Sequence, residues 1–117
     1  MLKIYGIKNC STMKKAFDQL QQLGLSYEFH DYKKQGIDAE TVKLWLTQLG
    51  ADVVLNKKGT TWRKLSEQEQ VDALSSQDKL IAALTTHTSM IKRPILAHGT
   101  QYIAGFNEAS YQALLSS

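Results

Sequence analysis

Apolar and polar positions change period several times along this chain, and each change marks an element. Leu2 to Tyr5 is a short apolar run broken by Gly6-Ile7-Lys8-Asn9, which predicts a strand, a loop and then a helix cap at Cys10-Ser11-Thr12. From Thr12 onward Met13, Ala16, Phe17, Leu20 and Leu23 recur at steps of three and four, a single apolar helical stripe that Gly24 closes as a C-terminal cap. Tyr27 to Tyr32 is short and aromatic-rich and predicts a second strand. Two strands joined through a helix lie parallel, so the chain opens with a βαβ unit.

The middle of the chain reads as helix after helix. Asp38 is placed to cap a helix burying Val42, Trp45, Leu46 and Leu49, closed by Gly50. Ser66-Glu67-Gln68-Glu69 has capping-box spacing ahead of a helix running toward Leu74, and Asp78 is the expected start of another carrying Leu80, Ile81 and Leu84. The polar run Asn56 to Thr61 links these pieces, giving a helical insertion over about residues 38–84. Strand patterning then returns in Ile95 to Ala97 and Gln101 to Ala104, a hairpin turned at His98-Gly99-Thr100. Asn107 is placed to cap a last helix through Tyr111, Leu114 and Leu115. The assembled order, βαβ, helical insertion, ββα, is an α/β fold with one four-stranded mixed sheet.

Composition narrows the function classes. The chain has 117 residues, 43% of them hydrophobic, enough for a single domain with its own core. One cysteine excludes an intramolecular disulfide and any multi-cysteine zinc site. No apolar segment has signal-peptide character or membrane length, so a cytoplasmic, reducing setting is expected, with no membrane partner. The net charge of +3 comes from lysines scattered among acids, which does not describe a nucleic-acid face. His30, His87 and His98 stand far apart without carboxylates at ligand spacing, so no metal site is expected.

The candidate chemistry centres on Cys10. A thiol reacts as its thiolate, and a position at a helix N-terminus favours that form through unpaired backbone N–H groups and the helix dipole. Ser11 and Thr12 add hydroxyls, and Lys8, Lys14 and Lys15 add positive charge close by in sequence. The chain's one proline, Pro94, stands at a strand start, where its missing N–H is tolerated. A cis bond to Arg93 would expose backbone groups beside the cysteine loop and turn a guanidinium toward an anion; an ordinary strand-start proline beside a surface arginine is the alternative. Trp45 belongs to an apolar stripe and reads as core. Trp62 either packs the insertion or covers the site, and Tyr5 and Tyr102 read as sheet packing.

Three segments carry a resemblance: Ile4-Tyr5-Gly6-Ile7-Lys8-Asn9-Cys10 with Thr12 and Lys14-Lys15-Ala16; Asn56-Lys57-Lys58-Gly59-Thr60-Thr61-Trp62-Arg63-Lys64-Leu65; and Ile91-Lys92-Arg93-Pro94-Ile95-Leu96. In this order they resemble the ArsC/Spx family, most closely its YffB-type branch. The resemblance implies a thioredoxin-like fold with a helical insertion, an active thiol at Cys10 and a cis Pro94 after Arg93. Arsenate reductases of the family hold the oxyanion with three arginines, of which this chain keeps Arg93. Asn56 and, approximately, Gly105 stand at the other two places, and Arg63 lies elsewhere in its motif. Spx-type regulators, which bind RNA polymerase, carry a second cysteine where this chain has Met13. The YffB-type branch resembles glutathione-dependent thiol reductases, with Ser11 here replacing an aspartate common there.

The expected function is therefore that of a monothiol oxidoreductase. Cys10 attacks a disulfide or glutathione mixed disulfide, and glutathione, a co-substrate and not a bound cofactor, resolves the product. Lys8, Asn9, Ser11, Thr12, Arg63, Arg93 and Pro94 are the expected substrate- or glutathione-binding residues. Glutaredoxin is a further candidate partner. Glutaredoxin-linked arsenate reduction and polymerase-binding regulation are the alternative functions.

Overall fold

Alternation in Leu2 to Gly6 places Leu2, Ile4 and Gly6 on one face, all buried, with Lys3 and Tyr5 half-exposed on the other. This strand, β1 (Leu2–Gly6), is followed by α1 (Ser11–Gln22), which lays the buried residues Met13, Ala16 and Leu20 over that face. β2 (Tyr27–Asp31) then pairs parallel with β1, Leu2 opposite Tyr27 and Gly6 opposite Asp31. In the computed structural model, which describes residues 2–116, the sheet order is β2-β1-β3-β4. β3 (Ile95–His98) runs antiparallel beside β1, and β4 (Gln101–Ala104) antiparallel beside β3. With α8 (Glu108–Gln112) behind the hairpin, this is the expected thioredoxin-like order. No helix among the described residues is long and apolar enough to cross a membrane.

Two compact units divide the chain. The first comprises residues 1–34 and 93–117 and holds the sheet. Its core is Leu2, Ile4, Met13, Ala16, Leu20, Leu96, Tyr111 and Leu114, and Cys10, Phe17, Phe29 and Phe106 pack against it. Each fully buried side chain of this size adds roughly 1.5–3 kcal/mol. Phe17 meets Phe29 edge-on with ring centres 5.1 Å apart, tying α1 to β2.

The second unit, Gln35–Lys92, contains the stretch read as an insertion over residues 38–84. Asp38 caps α3 (Ala39–Leu49) by accepting the Thr41 N–H at 2.7 Å, and Ser66 and Glu69 close a full capping box on α6 (Glu67–Ala73). Val42, Trp45, Leu80, Ile81 and Leu84 are buried as the periodicity requires, and Trp62 is buried as well. At the base of the unit Leu55 bridges Ile91 antiparallel, the Lys92 N–H donates to Val54 at 2.7 Å and the Asn56 N–H to Met90 at 2.8 Å.

Several features depart from the pattern reading: Leu49 is half-buried at the end of α3, and Tyr32 opens a helix and does not end β2. Ser76, not Asp78, caps α7 (Gln77–Thr86), because its hydroxyl accepts the Lys79 N–H; Asp78 instead lies in the first turn, where its charge favours the dipole. The supposed linker ends in a short helix, α5 (Thr60–Lys64), joined by the one-turn helices α2 (Tyr32–Gln35) and α4 (Ala51–Val54) that have no apolar period to announce them. His98 pairs with Gln101 inside the hairpin, so the turn is only Gly99-Thr100, with Gly99 at φ +61°. Leu115 is exposed, since the last helix tightens to 3₁₀ geometry over Ala113–Ser116 and swings it outward.

Tyr111 is fully buried, and its hydroxyl has no hydrogen-bond partner among the described residues. Burial pushes its phenol above the ordinary tyrosine range, so it stays neutral. A buried hydroxyl without a partner costs on the order of 1–3 kcal/mol. Tyr111→Phe should therefore leave thermal stability unchanged or raise it, while keeping the edge-on ring contact to Phe106 at 5.2 Å. A clear fall in melting temperature on calorimetry would count against this account.

Candidate active site

β1 ends at Gly6, and residues 7–9 carry the chain over the sheet edge to Cys10, the N-cap of α1. Cys10 has extended backbone (φ −145°, ψ 133°), and its carbonyl accepts the Lys14 N–H at 3.0 Å to open the helix. Its side chain is half-buried against the apolar core. Lys8, Asn9 and Ser11 are exposed around it, and Thr12 is half-buried.

The Cys10 side chain makes no capping hydrogen bond to the helix, yet donors favour its ionised form. Partial burial pushes the thiol up; against this act the Met13 N–H, a hydrogen bond from the Arg93 side chain, the Thr12 N–H and the Arg93 charge. The donors win, and Cys10 lies below the ordinary thiol range. Arg93 arrives from the start of β3, and the Arg93–Pro94 peptide bond is cis, as the resemblance implied. Pro94 is buried, and its carbonyl accepts the Gly105 N–H at 2.7 Å.

Gly105, approximately at the place of one oxyanion-holding arginine of the family's arsenate reductases, is a buried residue at φ +76° and supplies a backbone turn. Asn56 and Arg63 belong to the second unit, Asn56 half-buried and Arg63 exposed at the end of α5. The first unit therefore brings together Lys8, Asn9, Ser11, Thr12, Arg93 and Pro94 with Cys10.

A family model described as the ArsC family matches residues 5–114. The chain belongs to the ArsC family. An uncharacterized protein of Haemophilus influenzae is 42% identical over 115 residues, covering 97% of each chain. The solved YFFB protein is 42% identical and superposes with a TM-score of 0.91 over 97% of each chain. An arsenate reductase (ArsC) related protein from Brucella melitensis is 43% identical, with a TM-score of 0.71 over 99% of this chain and 95% of its own.

Three residues that touch the site's components are not visible in the sequence pattern. Tyr32 is buried beside Tyr5 and Arg93, and desolvation pushes its phenol far up, so it stays protonated. Lys34 reaches Lys8 across the strand ends. Gly6 has an ordinary φ, so its lack of a side chain answers to space: a Cβ there would collide with the Met13 Sδ and lie 2.7 Å from Cε. Met13 is fully buried, and its amide is one of the donors facing sulfur. The Gly6–Met13 approach thus sets where the first turn of α1 sits relative to the thiol. Only a register can reveal such neighbours.

Two outcomes follow for this ArsC-family thiol. Arg93→Gln should raise the Cys10 pKa, because the variant loses both the hydrogen bond and the positive charge that favour the thiolate, read from the pH dependence of iodoacetamide alkylation. Gly6→Ala should raise it by a smaller amount, and Gly6→Ala with Met13→Ala should return it toward the starting value. Because the folded thiol ionises below the unfolded value near 8.5, the reduced protein should gain stability as pH rises between the two values and lose it as pH falls through the folded one. Cys10→Ser should lack that slope.

Proposed function

We propose that this ArsC-family chain is a glutathione-dependent monothiol reductase acting in a reducing, cytoplasmic setting. The observation that carries the reading is a lone, half-buried thiol whose sulfur faces two helix amides and the Arg93 guanidinium. In the first step the Cys10 thiolate attacks the glutathione sulfur of a mixed disulfide, forming the Cys10–glutathione disulfide and expelling the substrate as a thiolate. A second glutathione, as its thiolate, attacks the glutathione sulfur of that adduct; glutathione disulfide leaves and the Cys10 thiolate is restored. Both steps are thiolate–disulfide exchanges, and one free glutathione thiol is consumed per turnover: its electron pair replaces the substrate's by way of Cys10, and the glutathione already held in the mixed disulfide leaves as the other half of glutathione disulfide. The second glutathione is required because Cys10 is the chain's one cysteine.

Arg93 stabilises the thiolate as attacker and again as leaving group. Exposed Lys8, Asn9 and Ser11, with half-buried Thr12, form the rim where a small thiol docks. Arsenate is disfavoured as substrate, because an oxyanion stripped of water needs charge-assisted donors on several sides, and Asn56 and Gly105 offer no cation.

Exposure to glutathione disulfide should give one glutathione adduct by mass spectrometry, absent in Cys10→Ser and removed by added glutathione. Turnover of a glutathione mixed disulfide, coupled to glutathione reductase, should vanish in the same variant. Arsenate should give no turnover. Failure to form the adduct, together with an alkylation pKa at the free-thiol value, would overturn the reading.

A further inference from the structure

Two distant stretches of the second unit are tied together at its base. Leu55 bridges Ile91, the Asn56 N–H donates to the Met90 carbonyl at 2.8 Å, and the Lys92 N–H donates to the Val54 carbonyl at 2.7 Å. Leu55 and Ile91 are buried, which anchors this contact in the unit's core. After Asn56 the chain turns, and the Gly59 N–H returns to the Asn56 carbonyl at 3.3 Å. A Cβ on Gly59 would lie 3.0 Å from the Asn56 Nδ2, so the amide is folded over the turn. A cavity of about 190 Å³ opens against this frame, and its polar lining is Asp52, Asn56, Lys57, Lys58 and Lys92.

Exposed lysines occur throughout the unit; what sets this cavity apart is their number against its acids. Lys43 lines a cavity together with Glu40 and Asp78, and Lys79 lines one together with Glu69 and Asp72. In both, carboxylates outnumber the lysine. Here three lysines from the two tied stretches stand against one acid, and among the described residues Asp52 forms no ion pair with any of them. The cavity therefore carries positive charge in excess, and like charges gathered around one cleft repel each other until an anion enters.

The donor set selects the anion. No arginine is among the lining residues, so a planar carboxylate finds no bidentate fork. Ammonium groups act as point charges, and three of them around a cleft suit an anion with oxygens on several sides. A phosphate group has that shape and carries a charge of about −1.5 to −2 near neutral pH. At about 190 Å³ the cavity has room for such a group and a few waters, each water taking roughly 30 Å³.

We infer that Lys57, Lys58 and Lys92, with the Asn56 amide, form a phosphate-binding site on the second unit. It is independent of the reductase reading, because Cys10, the chain's one thiol, belongs to the first unit.

The test is titration of the ¹⁵N-labelled full-length protein with inorganic phosphate, at ionic strength held constant with sodium chloride. Amides of residues 52–58 and 92 should shift and saturate together. Lys58→Gln and Lys92→Gln should each weaken binding by about threefold, the scale of one exposed ion pair, and together by about tenfold. Asp52→Asn should tighten it by a similar single-site factor. Lys64→Gln and Asp72→Asn make the same changes of net charge outside the cavity and should leave the affinity unchanged. Phosphoserine should shift the same amides; tighter binding than that of inorganic phosphate supports a carried phosphate group as the ligand, and weaker binding supports the free ion. Malonate, a dianion with planar carboxylates, should bind more weakly than phosphate. Shifts that fail to saturate, or an affinity equal in wild type and the Lys58→Gln/Lys92→Gln double variant, overturn the site. Malonate binding as tightly as phosphate overturns its assignment to phosphate.

Discussion

Parallel pairing of β1 with β2 is the constraint on which the first unit's chemistry depends. Parallel strands in register finish at one edge of the sheet, and an antiparallel neighbour begins where they finish. Gly6 opposite Asp31 and Tyr5 opposite Ile95 are that rule in this molecule. The Cys10 loop leaves from β1, α2 leaves from β2 and Arg93-Pro94 enters β3, all at that edge. A slip of one residue in either register would turn the buried row Leu2, Ile4 and Gly6 outward and separate sulfur from guanidinium.

The site is a balance of opposing terms. Burial against the core makes the thiol less willing to ionise, while two amides and Arg93 make the thiolate the better-solvated form. Half-burial serves both sides of the exchange: the donors act through less water than they would on an open surface, yet the sulfur remains reachable. Arg93 adds a positive charge at the edge where the thiolate forms. Tyr32 stays neutral there because burial outweighs the pull of the nearby arginine.

The helical second unit shows which local signals survive folding. Asp38 and Ser66 cap their helices as their spacing requires, because a capping hydrogen bond closes within four residues and needs nothing from the rest of the chain. Ser76 takes the cap that Asp78 also suits, because it offers the same chemistry two residues earlier and the backbone before the helix decides between them. The short helices α2, α4 and α5 are too short to show a period, and packing holds them: Tyr32, Val54 and Trp62 are their buried residues.

By itself the sequence determined the order of the main elements, the apolar faces of α1 and α3, and the thiol at a helix mouth without an internal partner. Those properties follow from residue type and spacing alone. Tertiary structure decided what acts on that thiol. Arg93 is 83 positions from Cys10 in the chain and meets it only through the strand order. Gly6 owes its missing side chain to the bulk of Met13, and Lys34 meets Lys8 only because Gly6 and Asp31 share a register. The electrostatics of a site depend on distances through space, and spacing along a chain does not encode them until the sheet is built.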